Sequence, residues 1–153
     1  MKEMTMPDIL HRVGVKASTK DVYKALATID GLSGWWTATT TGESKVGSQI
    51  RFQFGDRGFF NTKVLALEPG KRILWEVLDG PAEWIGTKIE FDLKQEGEQA
   101  TVMFKHMGWR EPVEFMQHCS TKWATFLMSM KAYVETGRGA PFPDDVRITI
   151  NWD

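Results

Sequence analysis

The hydrophobic period of this chain changes once, and that change limits what it can fold into. Between Ile50 and Met107 apolar residues recur at every second position. Ile50, Phe52 and Phe54 alternate with Gln49, Arg51 and Gln53; Ile89, Phe91 and Leu93 alternate with Lys88, Glu90 and Asp92; Val102, Phe104 and His106 alternate with Thr101, Met103 and Lys105. A period of two is that of a strand with one buried face. Further on the period becomes helical. Phe115, Met116, Cys119, Trp123, Phe126, Leu127, Met130, Tyr133 and Val134 fall within an arc of about 120° at roughly 100° per residue. An apolar stripe that wide needs a broad surface to cover it, and a curved antiparallel sheet is such a surface. Strands segregated from helices predict the α+β class.

The flanking segments fill in the order. Ile9 to Lys16 reads as a first strand, with Ile9, His11, Val13 and Val15 on one face. Ser18 or Thr19 can cap a helix with Asp21 in its first turn, and Val22, Tyr23, Leu26 and Ile29 follow at helical spacing. Gly31 and Gly34 interrupt that pattern just before Trp35 and Trp36. Residues 37–47 are polar and aperiodic, which predicts a loop. Phe59 to Leu67 and Arg72 to Leu78 read as strands joined by a turn at Glu68-Pro69-Gly70-Lys71. Pro112 suits the first turn of the long helix and Gly137 its end. After a Gly/Pro linker, Val146, Ile148, Ile150 and Trp152 alternate with Arg147, Thr149 and Asn151. That pattern predicts a strand with an apolar face, placed to close a sheet edge of its own chain or of a second copy in a homodimer. The expected organisation is one domain over 1–139 and a docked, extended tail over 140–153.

Composition removes several classes of function. Among 153 residues, 19 bases face 20 acids, with no basic stripe, so a nucleic-acid partner is not expected. No window approaches the roughly 18 consecutive apolar residues of a membrane span, and the polar start does not read as a signal peptide; a soluble, cytoplasmic protein is expected. The single cysteine, Cys119, excludes an internal disulfide framework, and its place on the apolar helix face predicts an inert buried thiol. The histidines, His11, His106 and His118, form no HxH or HExxH spacing, and no CxxC, GxSxG or Walker pattern occurs. No metal, no cofactor and no catalytic set is therefore assigned. His106 shares a strand face with Val102 and Phe104 and is expected to point inward. It is either a hydrogen-bonded core or pocket-rim histidine, or a polar anchor and proton shuttle for a ligand.

Seven tryptophans and nine phenylalanines stand against two tyrosines. The excess of large apolar rings reads either as a bulky core or as the lining of an apolar pocket. The candidate ligand-binding set is Trp35, Trp36, Phe52, Phe54, Trp84, Phe104, His106, Trp109, Trp123, Phe126 and Met130, drawn from separate elements that can converge.

Taken in order, "STKDVYKALATIDGLSGWW", "VGSQIRFQF", "LALEPGKRILWEV", "FKHMGW" and "HCSTKWATFLMSMKAYVETGRGAPFP" resemble the SRPBCC or START-like superfamily, and within it the branch of the heat-shock-protein-90 ATPase activator domain. The resemblance spans nearly the whole chain up to Asp144. It implies a helix-grip fold: a first strand, two short helices, a curved antiparallel sheet and a long C-terminal helix around an apolar cavity. It leaves function open, because relatives include lipid carriers, polyketide cyclases and co-chaperone domains. Three readings follow: a binding protein for a small apolar or aromatic molecule, a cyclase-like enzyme using His106 for proton transfer, and a chaperone ATPase activator.

Overall fold

A computed structural model describes residues 6–150. Strand β1 (Ile9–Val15) is followed by helices α1 (Thr19–Ala27) and α2 (Ile29–Trp35). Six strands come next: β2 (Thr39–Gly42), β3 (Gln49–Gln53), β4 (Phe59–Glu68), β5 (Arg72–Asp79), β6 (Lys88–Glu96) and β7 (Gln99–Met107). Helix α3 (Glu114–Thr136) closes the series. The seven strands form one antiparallel sheet in the order β1-β7-β6-β5-β4-β3-β2. The first strand thus pairs with the last, and the meander runs outward from β7 to β2. Two short helices, an antiparallel sheet and a long C-terminal helix laid on its inner face are the helix-grip arrangement.

The alternation read from the sequence sets the inner face. Registers Ile89↔His106, Phe91↔Phe104 and Leu93↔Val102 stack the apolar rows of β6 and β7, and Ile9 and Val13 extend them on β1 opposite His106 and Val102. Trp75 pairs with Ile89, and Phe52 with Phe60, carrying the same face to the far side. Trp75, Phe91, Phe104, Trp123, Leu127 and Met130 meet in one buried core. The Pro69-Gly70 turn forms as read: Gly70 has φ 73°, a left-handed value only glycine adopts cheaply, and Lys71 N–H donates to Glu68 O at 2.9 Å. Gly137 ends α3 in the same left-handed region, with its N–H on Tyr133 O.

Four expectations need correction. The threonine run is strand, not loop: Thr39–Gly42 pairs with β3 as the sheet edge, where β-branched residues suit the extended backbone. Gly31 and Gly34 do not interrupt a helix; they lie within α2, capped by Thr28, whose Oγ1 accepts from Gly31 N–H. Their role is close approach, since a Cβ on Gly34 would sit 2.3 Å from the Tyr133 ring. Helix α3 starts at Glu114 behind its cap Val113, two residues after Pro112, so Pro112 precedes the cap and does not stand in the first turn. Residues 146–150 form no strand, and Val146 and Ile150 are exposed; Trp152 lies outside the described residues.

What fixes the segment after α3 is hydrogen bonding upstream of that alternating stretch. Ser129 Oγ donates to Trp35 O at 2.8 Å and accepts from Ala140 N–H at 2.7 Å. Phe142 N–H donates to Trp36 O, and Phe142 O accepts from Ala38 N–H, making a one-residue parallel bridge to Thr37. Over residues 146–150 the alternating pattern is irregular in conformation.

Candidate functional site

A cavity of about 530 Å³ opens between α3, the β3–β4 hairpin, the 81–86 loop and the segment after α3. Its walls are aromatic. Trp36 comes from the end of α2, Phe54, Phe59 and Phe60 from the hairpin, Trp84 from the loop, Phe115, Trp123 and Phe126 from α3, and Phe142 from the C-terminal segment. Phe60 and Trp84 stack with ring centres 3.9 Å apart and planes 7° from parallel. Trp84 and Trp123 are also near parallel at 6.0 Å, and Trp36 lies 4.8 Å from Trp123. The polar wall consists of the side chains of Arg57, His118, Cys119, Lys122 and Asp145.

Five of the sequence-derived candidates line this cavity: Trp36, Phe54, Trp84, Trp123 and Phe126. Trp35, Phe52, Phe104, His106, Trp109 and Met130 do not; all six are buried in the core behind it. Trp35, for instance, donates its indole N–H to Ala25 O and stacks under Trp36. The sequence reading missed Phe59, Phe60, Phe115, His118, Lys122, Phe142 and Asp145 as wall residues. Lys122 had a signal, because it falls only about 20° outside the apolar arc of α3. Phe142 and Asp145 had none, since they sit in an irregular segment whose course no periodicity encodes.

His106 is the centre of a one-way hydrogen-bond chain. Trp123 Nε1–H donates to His106 Nδ1 at 3.1 Å. A neutral ring that accepts at Nδ1 carries its proton on Nε2, which donates to Thr87 Oγ1 at 2.8 Å. Thr87 Oγ1 in turn donates to Trp84 O at 2.6 Å. The chain ties α3 to β7 and to the loop that carries Trp84. The imidazole is fully buried between Trp84, Trp109 and Trp123. That burial pushes its pKa down to about 3. A neutral ring with both nitrogens committed and no path to solvent cannot shuttle a proton to a ligand, so the cyclase-like reading built on His106 is withdrawn. Its role is to position Trp84 and Trp123.

Cys119 lies buried on the apolar face of α3. Burial pushes its thiol up to about 12, although Trp84 Nε1–H donates to Sγ at 3.4 Å. Among the described residues no three metal-ligating side chains cluster, and no helix is long and apolar enough to cross a membrane.

A helix-grip sheet with an aromatic cavity under its long helix defines a protein of the START-like, SRPBCC type. More narrowly, the chain belongs to the family of Activator of Hsp90 ATPase homolog 1-like proteins, whose sequence model matches residues 16–135. It is similar to Aha1 of Colwellia psychrerythraea, solved in solution as a dimer: 44% identity, 88% of this chain and 100% of that one covered, TM-score 0.80. Two more distant structures share the fold alone. DynU16, from the dynemicin biosynthetic locus, is 22% identical over 86% of this chain and 48% of its own, with TM-score 0.71. CalU16 of Micromonospora echinospora is 18% identical over 89% of this chain and 77% of its own, with TM-score 0.71. No curated protein matches the sequence.

Proposed function

We propose that this chain is a binding protein for a small apolar or aromatic molecule, held in the cavity under α3. One observation carries the reading: a space of about 530 Å³, within the range of roughly 300–1,000 Å³ typical of ligand pockets, is walled by nine aromatic rings. Core packing alone leaves few voids larger than a water molecule. The thiol in the wall, Cys119, is buried and pushed up to about 12, which favours binding over turnover. Titration with a fluorescent apolar dye tests it. Saturable binding is expected, weakened several-fold by Phe126→Ala, which removes a wall ring without touching the His106 chain. Absence of saturable binding for every apolar dye tried ends the reading.

The second reading is a co-chaperone role, favoured by the family match and by the 44% identity to an Aha1. It brings with it the dimeric state of that relative. Stimulation of the ATPase of an Hsp90 from the same source, and the mass in solution by light scattering, test the two parts separately. No binding and no change in ATPase rate would remove the first; a monomeric mass would remove the second.

A further inference from the structure

The tryptophans within the described residues differ in what their indole N–H groups meet. Trp35 donates to Ala25 O, Trp84 to Cys119 Sγ and Trp123 to His106 Nδ1. Those of Trp75 and Trp109 are sealed in the core with no partner. Trp36 belongs to neither group. Its Nε1–H has no hydrogen-bond partner among the described residues, yet it is not sealed as those of Trp75 and Trp109 are. The residue is only 2% exposed, and the space it borders is the cavity. The N–H therefore opens onto that space.

A buried N–H is costly unless something accepts from it. Water can accept while the cavity holds solvent. An apolar molecule that fills the space expels that water, and it loses affinity unless it brings an acceptor of its own. The surroundings decide which acceptor. The Trp36 ring lies among those of Trp35, Phe52, Phe54, Phe60, Trp75 and Trp123, with centres 4.2–6.2 Å away. The cations of the wall sit over other rings, Arg57 at 5.9 Å from that of Phe142 and Lys122 at 5.1 Å from that of Phe126, and Lys122 is paired with Asp145. A carboxylate or phosphate seated among the rings around Trp36 would lose its hydration without a cation against it, whereas a carbonyl oxygen takes the same hydrogen bond at far smaller cost.

We infer that Trp36 selects the ligand: its Nε1–H donates to the carbonyl oxygen of an uncharged aromatic carbonyl compound. The inference rests on the cavity being a ligand site, and it adds a polar contact that orients the ligand within the aromatic walls.

A matched pair of probes tests it. 2-Acetonaphthone carries the carbonyl; 2-isopropenylnaphthalene has nearly the same shape, with a methylene in place of the oxygen. Their affinities are measured by calorimetry in the unmodified protein and in Trp36→Phe, so that lost ring contacts and ligand desolvation cancel in the ratio. The preference for the ketone is expected to fall at least about 5-fold in the variant, the size of one hydrogen bond. An unchanged ratio overturns the inference and leaves the cavity reading intact. A second readout needs no variant. In an isotope-edited infrared spectrum, the carbonyl band of 2-acetonaphthone bound to the unmodified protein should lie below its position in hexane; a band at the hexane position also overturns the inference. A lowered band that persists in Trp36→Phe overturns the assignment to Trp36. Failure of both molecules to bind the unmodified protein overturns the cavity reading together with the inference.

Discussion

Lowering the pH from 7 to 5 should weaken this fold through His106, by an amount the structure sets. In the folded chain the ring titrates at about 3, against an ordinary value of 6.5, because burial penalises the charged form. The unfolded chain therefore binds a proton at pH values where the folded chain does not. Stability from this group is fully present above about pH 6.5 and is lost progressively as the pH falls toward 3. Each unit of difference is worth about 1.4 kcal/mol, so the loss between pH 7 and 5 comes to about 2 kcal/mol, with a ceiling near 5 kcal/mol at lower pH. There is also a local reason for the ring to resist protonation. A proton on Nδ1 would face the indole N–H of Trp123 across 3.1 Å, turning a hydrogen bond into donor against donor. Urea unfolding at the two pH values, in the unmodified protein and in His106→Gln, isolates the effect. Glutamine can accept from Trp123 and donate to Thr87 but does not titrate. His11, His118 and the carboxylates are common to both proteins and cancel in the comparison. The unmodified protein should lose about 2 kcal/mol more than the variant, or roughly 4–8 °C in midpoint temperature for a chain of this size. Equal losses in both would falsify the buried, neutral assignment of His106.

Other consequences can be measured directly. Gly34→Ala should destabilise by about 1–3 kcal/mol through overpacking, since the new Cβ would lie 2.3 Å from Tyr133, and Tyr133→Leu in the same chain should recover part of the loss in midpoint temperature. Ser129→Ala strips the shared partner from Trp35 O and Ala140 N–H, at a cost of about 1–3 kcal/mol, and amide exchange at Ala140 and Phe142 should quicken while that of β6 is unchanged. Cys119 should resist alkylating reagents at pH 8 in the folded protein and react at the rate of a free thiol in denaturant; fast labelling of folded protein would contradict a thiol pushed up to about 12. Trp123→Phe keeps the ring stack but leaves His106 Nδ1 without its donor, so its loss of stability should exceed that of Phe115→Leu, a residue at the cavity rim.

The strands with one buried face were legible because the cause is local. Side chains alternate across a strand, so the rows Ile89-Phe91-Leu93 and Val102-Phe104-His106 announce their own orientation. The stripe on α3 was legible for the same reason at a different period. The edge strand Thr39–Gly42 was not, because an edge that buries only Thr40 has no apolar rhythm to read. Glycine misled where it serves packing: Gly31 and Gly34 look like helix breakers until Ala25 and Tyr133 are placed against them. The alternation from Val146 onward predicts a strand, and residues 146–150 do not form one, since alternation in a chain's own residues is not by itself enough to make a strand.

The same division runs through the candidate site. Residue types alone determined that the sheet and helix would bury a large number of rings. They also placed His106 on an inward row. Only the tertiary structure decided which rings face a cavity and which face one another. Trp36 and Trp35 are adjacent in the chain, yet one lines the space and the other lies behind it. Whether His106 meets a ligand or the core turned on Thr87 and Trp123, residues 19 and 17 positions away that reach it from a loop and a helix. Asp145 became a wall residue because the backbone of Phe142 is bridged to Thr37 and Lys122 reaches across to its carboxylate. Periodicity records how a residue relates to its own element. Which faces then enclose a space depends on how separate elements pack, and that information is held in contacts distant in sequence.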